Sequence, residues 1–202
     1  MARLVDFERR NALLDEVVVY LSEHGLANLS LRPLANDLGI SVNSLVHHFG
    51  SKDDLVIAAL RRSGRVQKEV EQRWLDRTPG MSQVDLLRAW WRWITATPHN
   101  LAVVRLGIEA AAMEATLEGL PRQVGGEQLG LWRTNIEARL VSEGVPHETA
   151  VIEASLTKAM FTGLVVDLLA TGQKTRLTRA LEVGLERLEQ VVRSSAGLGA
   201  GQ

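Results

Sequence analysis

The 202-residue chain contains no cysteine, which excludes disulfide bonds, thiolate metal sites and a cysteine nucleophile. It also lacks an excess of either charge, since 23 Lys and Arg residues stand against 24 Asp and Glu. Composition therefore gives no general attraction to nucleic acid. The longest apolar run, residues 159–170, contains Asp167 and is shorter than the roughly 20 residues that cross a membrane. With no recognisable secretion signal, we expect a soluble protein of the cytoplasm without a membrane partner.

Sequence motifs of the common enzyme classes are missing as well. The chain has no HExxH, no Gly-x-Ser-x-Gly and no glycine-rich loop for a nucleotide. His147 and Glu148 are neighbours on a predicted helix and need no catalytic role. The sequence therefore predicts neither an enzyme nor a bound cofactor, and an active site in the C-terminal part that uses none of these motifs stays an alternative.

Helical periodicity is what the sequence has throughout. Apolar residues recur every three or four positions, and no stretch alternates apolar and polar residues as a half-buried strand does. Gly and Pro divide the chain into about nine helices, and 46% hydrophobic residues suffice for a substantial core. The pattern predicts an all-α fold, divided near residue 60 into an N-terminal domain, residues 1–60, and a larger helical domain, residues 61–202.

The N-terminal helices carry clear start and stop signals. Serines stand at three expected N-caps: Ser30, Ser41 and Ser51. The first helix is predicted to begin near Phe7, with Asp6 as its N-cap. Gly39 ends the second helix, and only Ile40 separates Gly39 from the cap of the third. Two short helices joined by so tight a turn, braced by a longer first helix, are typical of a helix-turn-helix that enters the major groove of DNA.

This region resembles the TetR family of transcriptional regulators. The family pattern is matched in order and spacing by Gly25, Ser30, Leu34-Ala35, Leu38-Gly39-Ile40-Ser41, Leu45, His48-Phe49, Lys52 and Leu55. The main departure is Val46, where the family usually has a tyrosine that contacts a phosphate. The resemblance implies an N-terminal three-helix bundle with a helix-turn-helix, followed by a ligand-binding and dimerisation domain.

The resemblance also implies which residues contact double-stranded operator DNA. Three are expected at phosphates, where they set the register on the duplex: Ser30, Ser41 and Lys52. Arg32 is expected at the backbone or a groove edge. Three are assigned to base readout: Val42, Asn43 and Ser44. His47 and His48 are placed for phosphates or base edges, and Val46 lies among them.

Simpler interpretations of these residues stay open. Ser30 and Ser41 are sufficiently explained as helix caps, and Asn43 taken alone could be a solvated polar residue. Adjacent histidines on a helix point about 100° apart, so His47 and His48 do not share a metal ion, and no metal site is predicted.

Apolar residues on the last two predicted helices suggest an interface. They recur at helical spacing from Thr175 to Arg193 and nearly encircle the helix over residues 150–170, where Gly163 allows close approach. A helix-turn-helix that binds an operator usually acts in pairs about 34 Å apart. We therefore expect a homodimer through the last two helices, a four-helix interface that the resemblance also implies. An ordinary intramolecular core is the alternative.

The middle helices are the expected site of an unidentified small-molecule effector, because they hold four of the five tryptophans. The apolar candidates for its lining are Leu87, Trp90, Ile94, Leu101, Trp132 and Met160. The polar candidates are His99, Asn100, Arg105 and Asn135. Not all of the tryptophans can face one cavity, since residues 90, 91 and 93 fan around their helix.

These features predict a ligand-responsive DNA-binding transcriptional regulator. We expect a repressor that a small, mainly apolar effector releases from its operator by binding better to the form that does not fit DNA. The fourth helix, from Lys52 to about Trp74, is expected to transmit the effect of the ligand to the DNA-binding domain, because it belongs to both regions. The alternative is a helical carrier or binding protein with little DNA affinity, which the near-neutral N-terminal region and Val46 favour.

Overall fold

The computed structural model describes the backbone of residues 2–27, 29–114 and 124–199, and the side chains of 8–27, 29–112 and 132–195. Within these ranges every regular element is an α-helix. The nine helices are α1 Ala2–His24, α2 Leu31–Asp37, α3 Val42–Phe49, α4 Lys52–Arg77, α5 Gln83–Ile94, α6 Pro98–Glu114, α7 Val124–Ser142, α8 His147–Thr171 and α9 Lys174–Gly199. The predicted all-α fold of about nine helices is confirmed.

The start of α1 differs from the prediction. The helix begins at Ala2, so Asp6 lies inside it instead of capping it. Ala2, Arg3 and Leu4 have high helix propensity, and a helix extends through such residues without needing a side-chain cap.

The described chain packs as two compact units. The first comprises Met1–Gln72 and Pro98–Gln128, and the second comprises Arg73–Thr97 and Leu129–Gln202. Helix α6 therefore belongs with α1, α2, α3 and most of α4. This grouping describes packing, and the functional division near residue 60 stays a prediction.

The core of the first unit is built from the faces that the periodicity predicts, with α6 added. Its most buried side chains include Leu14, Val17 and Leu21 of α1, Leu34 of α2, Leu45 of α3, Leu55 and Leu60 of α4, and Leu106 of α6. Burying one leucine side chain contributes roughly 1.5–3 kcal/mol. Leu106 and Ala110 bring α6 into this core, which local sequence did not indicate.

The turn between α2 and α3 is closed by backbone hydrogen bonds. Gly39 has φ +65, a left-handed conformation that costs other residues roughly 1–2 kcal/mol. The Gly39 N–H donates to Asn36 O at 3.2 Å and the Ile40 N–H donates to Ala35 O at 2.9 Å, the pattern of a Schellman C-cap. Ile40 packs against the core.

The second unit is tied together by polar contacts between helices. The Gln83 N–H at the start of α5 donates to Glu143 Oε1, 2.6 Å away beyond the end of α7. Arg187 of α9 donates two hydrogen bonds to the carboxylate of Glu153 on α8, at 2.7 and 2.8 Å. Glu153 is buried, and a buried carboxylate is tolerated when it is paired in this way.

Helix α8 has more apolar side chains than are buried within the second unit. Among the described residues it is the one helix that is long and apolar enough to cross a membrane by length and composition, although a third of its apolar window is buried. Its exposed large apolar side chains are Ile152, Leu156, Val166 and Leu169. Together with Ala159 and Gly163, also exposed, they form a stripe along one face of the helix.

Candidate nucleic-acid interface

Helix α3 has one face in the core and one face in solvent. Leu45 and Phe49 are buried, at 1% and 7% of their full exposure, and they anchor the helix to the first unit. Asn43, Val46 and His47 are exposed, and their spacing of three and four residues places them on one side of the helix. The outer side of α3 is therefore an open surface that could enter a groove.

The flanking residues of the predicted site vary in exposure. Ser30, Arg32, Ser41 and Lys52 are exposed, whereas Val42, Ser44 and His48 are half-buried. The rings of His47 and His48 stand 5.5 Å apart and steeply inclined to each other. Every residue predicted to contact DNA thus keeps some accessible surface, and their individual roles stay predictions.

The serines at the helix starts behave differently from one another. Ser41 is the N-cap of α3, and its hydroxyl accepts from the Ser44 N–H at 3.1 Å. Ser30 occupies the N-cap of α2 but its side chain makes no capping hydrogen bond. The exposed hydroxyl of Ser30 is therefore not committed to capping its own helix.

The start of α4 is held by a reciprocal cap between Ser51 and Asp54. The Asp54 N–H donates to Ser51 Oγ at 3.1 Å, and Asp54 Oδ2 accepts from the Ser51 hydroxyl at 2.8 Å and from the Ser51 N–H at 3.1 Å. These bonds lower the pKa of the Asp54 carboxyl. The cap fixes the backbone at the start of α4, where Lys52 is the first helical residue.

Two arginine contacts bind α1 to the helices around it. Arg62 of α4 forms a bidentate pair with Asp15, with N–O distances of 2.5 and 3.0 Å, and this pair raises the pKa of Arg62. Arg10 donates from Nε to His48 O at 3.1 Å and lies over the Phe49 ring. The sequence pattern did not indicate a role for Arg10, because Arg10 and His48 are 38 positions apart and no local pattern marks the pairing.

Helix α6 forms hydrogen bonds with the C-terminal end of α1 and the residues after it. Arg105 donates to Ser22 O at 2.9 Å and pairs with Glu109, while Glu109 Oε2 accepts from the Leu26 N–H at 2.9 Å. A Cβ on Gly25 would lie 3.1 Å from Glu109 Oε2. Arg105 was predicted to bind a ligand, a role that would compete with these contacts and stays a prediction.

The predicted effector residues are distributed over both units. Four lie in the first unit, where His99 is exposed and the others half-buried: His99, Asn100, Leu101 and Arg105. Six lie in the second unit: Leu87, Trp90, Ile94, Trp132, Asn135 and Met160. Leu87, Trp90 and Ile94 are buried, and Asn135 is exposed. Their role in ligand binding stays a prediction.

The described aromatic contacts of the second unit fall into two groups. Trp90 stands edge-on to Trp74 and Trp93, with ring centroids 5.0 and 5.3 Å away. Trp132 and Trp91 both contact Phe161. The Trp91 N–H donates to Thr178 Oγ1 at 2.8 Å, whereas the buried Trp90 N–H has no hydrogen-bond acceptor among the described residues. Trp90 therefore offers an unused donor inside an aromatic cluster.

In the part of the chain that the structure describes, no group of three or more His, Asp or Glu is arranged to hold a metal ion.

Comparisons with known proteins agree with this geometry. The family described as "Bacterial regulatory proteins, tetR family" matches residues 13–59, and no curated protein sequence matches significantly. A transcriptional regulator from Rhodococcus sp. Rha1 is 23% identical, with 90% of this chain and 96% of that chain covered and a TM-score of 0.73. A regulator from Saccharomonospora viridis in complex with choline is 20% identical, with 89% and 96% covered and a TM-score of 0.71.

A further solved structure is the multidrug binding protein EbrR complexed with malachite green, which is 25% identical, with 90% of this chain and 98% of that chain covered and a TM-score of 0.64. These likenesses extend over nearly the whole chain and show the fold. Residues 13–59 therefore carry the sequence pattern of the TetR family of bacterial regulatory proteins, and the described helices carry the fold of solved regulators such as the TetR regulator from Legionella pneumophila, with a TM-score of 0.75 at 16% identity.

Proposed function

We propose that the protein is a homodimeric repressor that binds operator DNA through α3 and leaves it when a small, mainly apolar effector binds. The observation that carries the proposal is the two-sided character of α3. Leu45 and Phe49 hold it to the core, while Asn43 and His47 point to solvent. A short helix fixed on one side and free on the other is what insertion into a major groove requires.

The residues on this surface divide into base readers and phosphate binders. Asn43 can pair bidentately with adenine, and the half-buried Val42 can meet a thymine methyl. Lys52 at the start of α4 and Arg32 in the first turn of α2 supply positive charge, and both are exposed. They attract phosphates irrespective of sequence and are the source of salt dependence.

Substitution of Asn43 and Lys52 tests this division. Asn43→Ala should lower the preference for the selected duplex over a random one roughly ten- to a hundredfold, as expected for one lost bidentate contact. Lys52→Ala should weaken both duplexes alike and reduce the salt slope by about one unit.

The measurement is a binding titration at several salt concentrations, on a duplex that the wild-type protein selects from random sequences. The reverse pattern for the two variants would reject the assignment of roles. Failure of the wild-type protein to select any duplex at low salt would reject DNA binding and favour the alternative, a helical carrier of small molecules.

Dimerisation is proposed through α8 and α9. From Ile152 to Val166 the exposed stripe on α8 has alternating spacings of four and three residues, through Leu156, Ala159 and Gly163, and Leu169 ends it. This is the repeat of a helix that packs along a second helix. Val183 extends the apolar surface on α9, where it is 67% exposed. A second copy of the chain would cover both helices, and a dimer is what an operator with two half-sites requires.

The effector is proposed to bind in the second unit beside Trp90. The unused indole donor can pair with an acceptor on the ligand, and the rings of Trp74 and Trp93 supply apolar and aromatic surface. Solved structures of similar fold contain choline and malachite green. Both are organic cations, which tryptophan faces attract, so malachite green is a suitable first probe for fluorescence quenching.

Signal transfer is proposed to run through α4. Trp74 near the end of α4 contacts Trp90, and the same helix begins at Lys52, directly after α3. A ligand that displaces Trp74 would therefore act on the same helix that starts next to the DNA-reading helix. The shift in operator affinity is limited to the ligand's differential affinity for the two forms.

A further inference from the structure

Arg10 of α1 makes two contacts with the end of α3. Its Nε donates to the carbonyl oxygen of His48 at 3.1 Å. Its guanidinium carbon lies 5.1 Å from the centroid of the Phe49 ring. Arg10 is itself half-buried. One side chain of α1 therefore holds the last two residues of the helix whose outer face we propose reads DNA.

Each contact has a clear physical basis. The last carbonyl groups of a helix have no intrahelical hydrogen-bond donor, and they carry partial negative charge. A guanidinium supplies both the missing donor and a compensating positive charge. A guanidinium over an aromatic face gains a cation–π attraction. Its planar fork also gives the hydrogen bond a fixed direction, which a lysine ammonium does not provide.

The orientation of α3 depends on few anchors. The helix spans eight residues, and two of them, Leu45 and Phe49, are buried. Ser41 caps its N-terminal end. A rotation of α3 about its own axis would change the directions of the Asn43 and His47 side chains. Arg10 supplies a further restraint against such a rotation, at the C-terminal end of the helix.

We propose that Arg10 is a positioning residue that sets the rotation and tilt of α3, and thereby contributes to discrimination between DNA sequences more than to overall attraction. The proposal rests on the proposed function, in which α3 reads base edges. It differs from a direct phosphate contact by Arg10, which would act on all sequences alike.

Three variants separate these roles. Arg10→Met removes the charge and the hydrogen bond while keeping a long side chain. Arg10→Lys keeps the charge but not the planar fork, and it provides a second test if the methionine variant folds poorly. Arg61→Met is the matched control, because it removes the same charge from an exposed position on α4.

The first measurement uses no DNA. Hydrogen exchange at the amides of Phe49 and Gly50 reports local opening of the end of α3. We expect exchange in Arg10→Met to be about tenfold faster than in the wild-type protein, with a smaller change in Arg10→Lys and none in Arg61→Met. Unchanged exchange in both Arg10 variants would overturn the proposal, whatever the DNA results.

The second measurement compares a duplex selected by the wild-type protein with a non-specific duplex of equal length. We expect Arg10→Met to lower the ratio of the two affinities about tenfold without changing the salt slope, and Arg10→Lys to recover part of the ratio. An equal loss on both duplexes with a slope reduced by about one unit identifies a phosphate contact and overturns the proposal.

Two further outcomes would also overturn it. An unchanged affinity ratio with only a lower unfolding temperature would show that Arg10 serves stability alone. Selection of no duplex by the wild-type protein would reject the proposed function and this role with it, whereas the exchange result would still establish whether Arg10 holds the end of α3.

Discussion

At the scale of single residues, two neighbouring tryptophans of α5 differ in the use of their indole N–H groups. The Trp91 N–H donates to Thr178 Oγ1, whereas the Trp90 N–H is buried without an acceptor among the described residues. An unpaired buried donor costs free energy that a paired one does not. This difference is the sharpest indication of where a ligand could act in the second unit.

Replacement of each tryptophan by phenylalanine tests that difference. Both variants lose the same side-chain volume, so their difference reports on the N–H group. We expect Trp91→Phe to lower the free energy of unfolding by about 1 kcal/mol more than Trp90→Phe. In fluorescence titrations with malachite green, Trp90→Phe alone should weaken binding. If the two variants lost the same free energy of unfolding, or bound malachite green equally well, the proposed role of Trp90 would be contradicted.

Gly25 shows a second residue-scale constraint, because it combines a left-handed backbone with a crowded position. Its φ is +77 and a Cβ would meet Glu109 Oε2 at 3.1 Å, whereas Gly39 has φ +65 and open space around its Cβ position. Alanine at either position should cost about 1–2 kcal/mol from backbone strain. Gly25→Ala should cost more, because it also disturbs the acceptor of the Leu26 N–H.

Chemical denaturation of the two variants provides this comparison. Gly39→Ala is the matched control for strain without crowding. If Gly25→Ala were no less stable than Gly39→Ala, the contact between α6 and the end of α1 would contribute nothing measurable.

At the scale of elements, the N-terminus of α4 depends on an ionised carboxylate. The hydrogen bonds from Ser51 depress the pKa of Asp54 below its ordinary value of 3.8. A depressed carboxyl pKa contributes stability that is present above the unfolded pKa and is lost as pH falls through the folded pKa. We therefore expect the first turn of α4 to lose protection from hydrogen exchange in that acidic range.

An NMR titration of the carboxyl groups checks this expectation. Asp54 should titrate below 3.8 in the wild-type protein. Ser51→Ala removes the hydroxyl and should raise the pKa of Asp54, though not fully, since the Ser51 backbone N–H also donates to it. An unchanged titration in Ser51→Ala would show that the cap does not control this carboxyl.

At the scale of the whole molecule, the exposed stripe of α8 predicts self-association. Leu156 is 47% exposed within one chain and belongs to the stripe. Leu156→Glu would place a charge in an apolar interface, and we expect it to weaken the dimer at least about a hundredfold, equivalent to roughly 3 kcal/mol. Operator affinity should fall with it.

Sedimentation at micromolar concentration measures this effect. Val141→Glu is the control, because Val141 on α7 is similarly exposed, at 41%, but lies outside the stripe. The wild-type protein and the control should be dimers, and Leu156→Glu a monomer. A monomeric wild-type protein under these conditions would reject the interface.

Much of the fold could be predicted because its signals are local. The N-terminal helices and α9 follow from apolar residues spaced three or four apart, and the turn between α2 and α3 follows from Gly39 with Ser41 after it. The same signals place Asn43 and His47 on the outer side of α3. A residue's partner within one helix or turn is never more than a few positions away, so periodicity and capping suffice.

Contacts between distant segments could not be predicted in this way. Arg10 and His48, or Leu26 and Glu109, which are 83 positions apart, meet only because the helices pack in a particular arrangement. The sequence by itself determined the helices, the cap of α3 and the side of α3 that faces solvent. The tertiary structure alone decided that α6 completes the first core and that Trp90, unlike Trp91, keeps an unused donor, since packing brings together groups whose separation along the chain carries no signal.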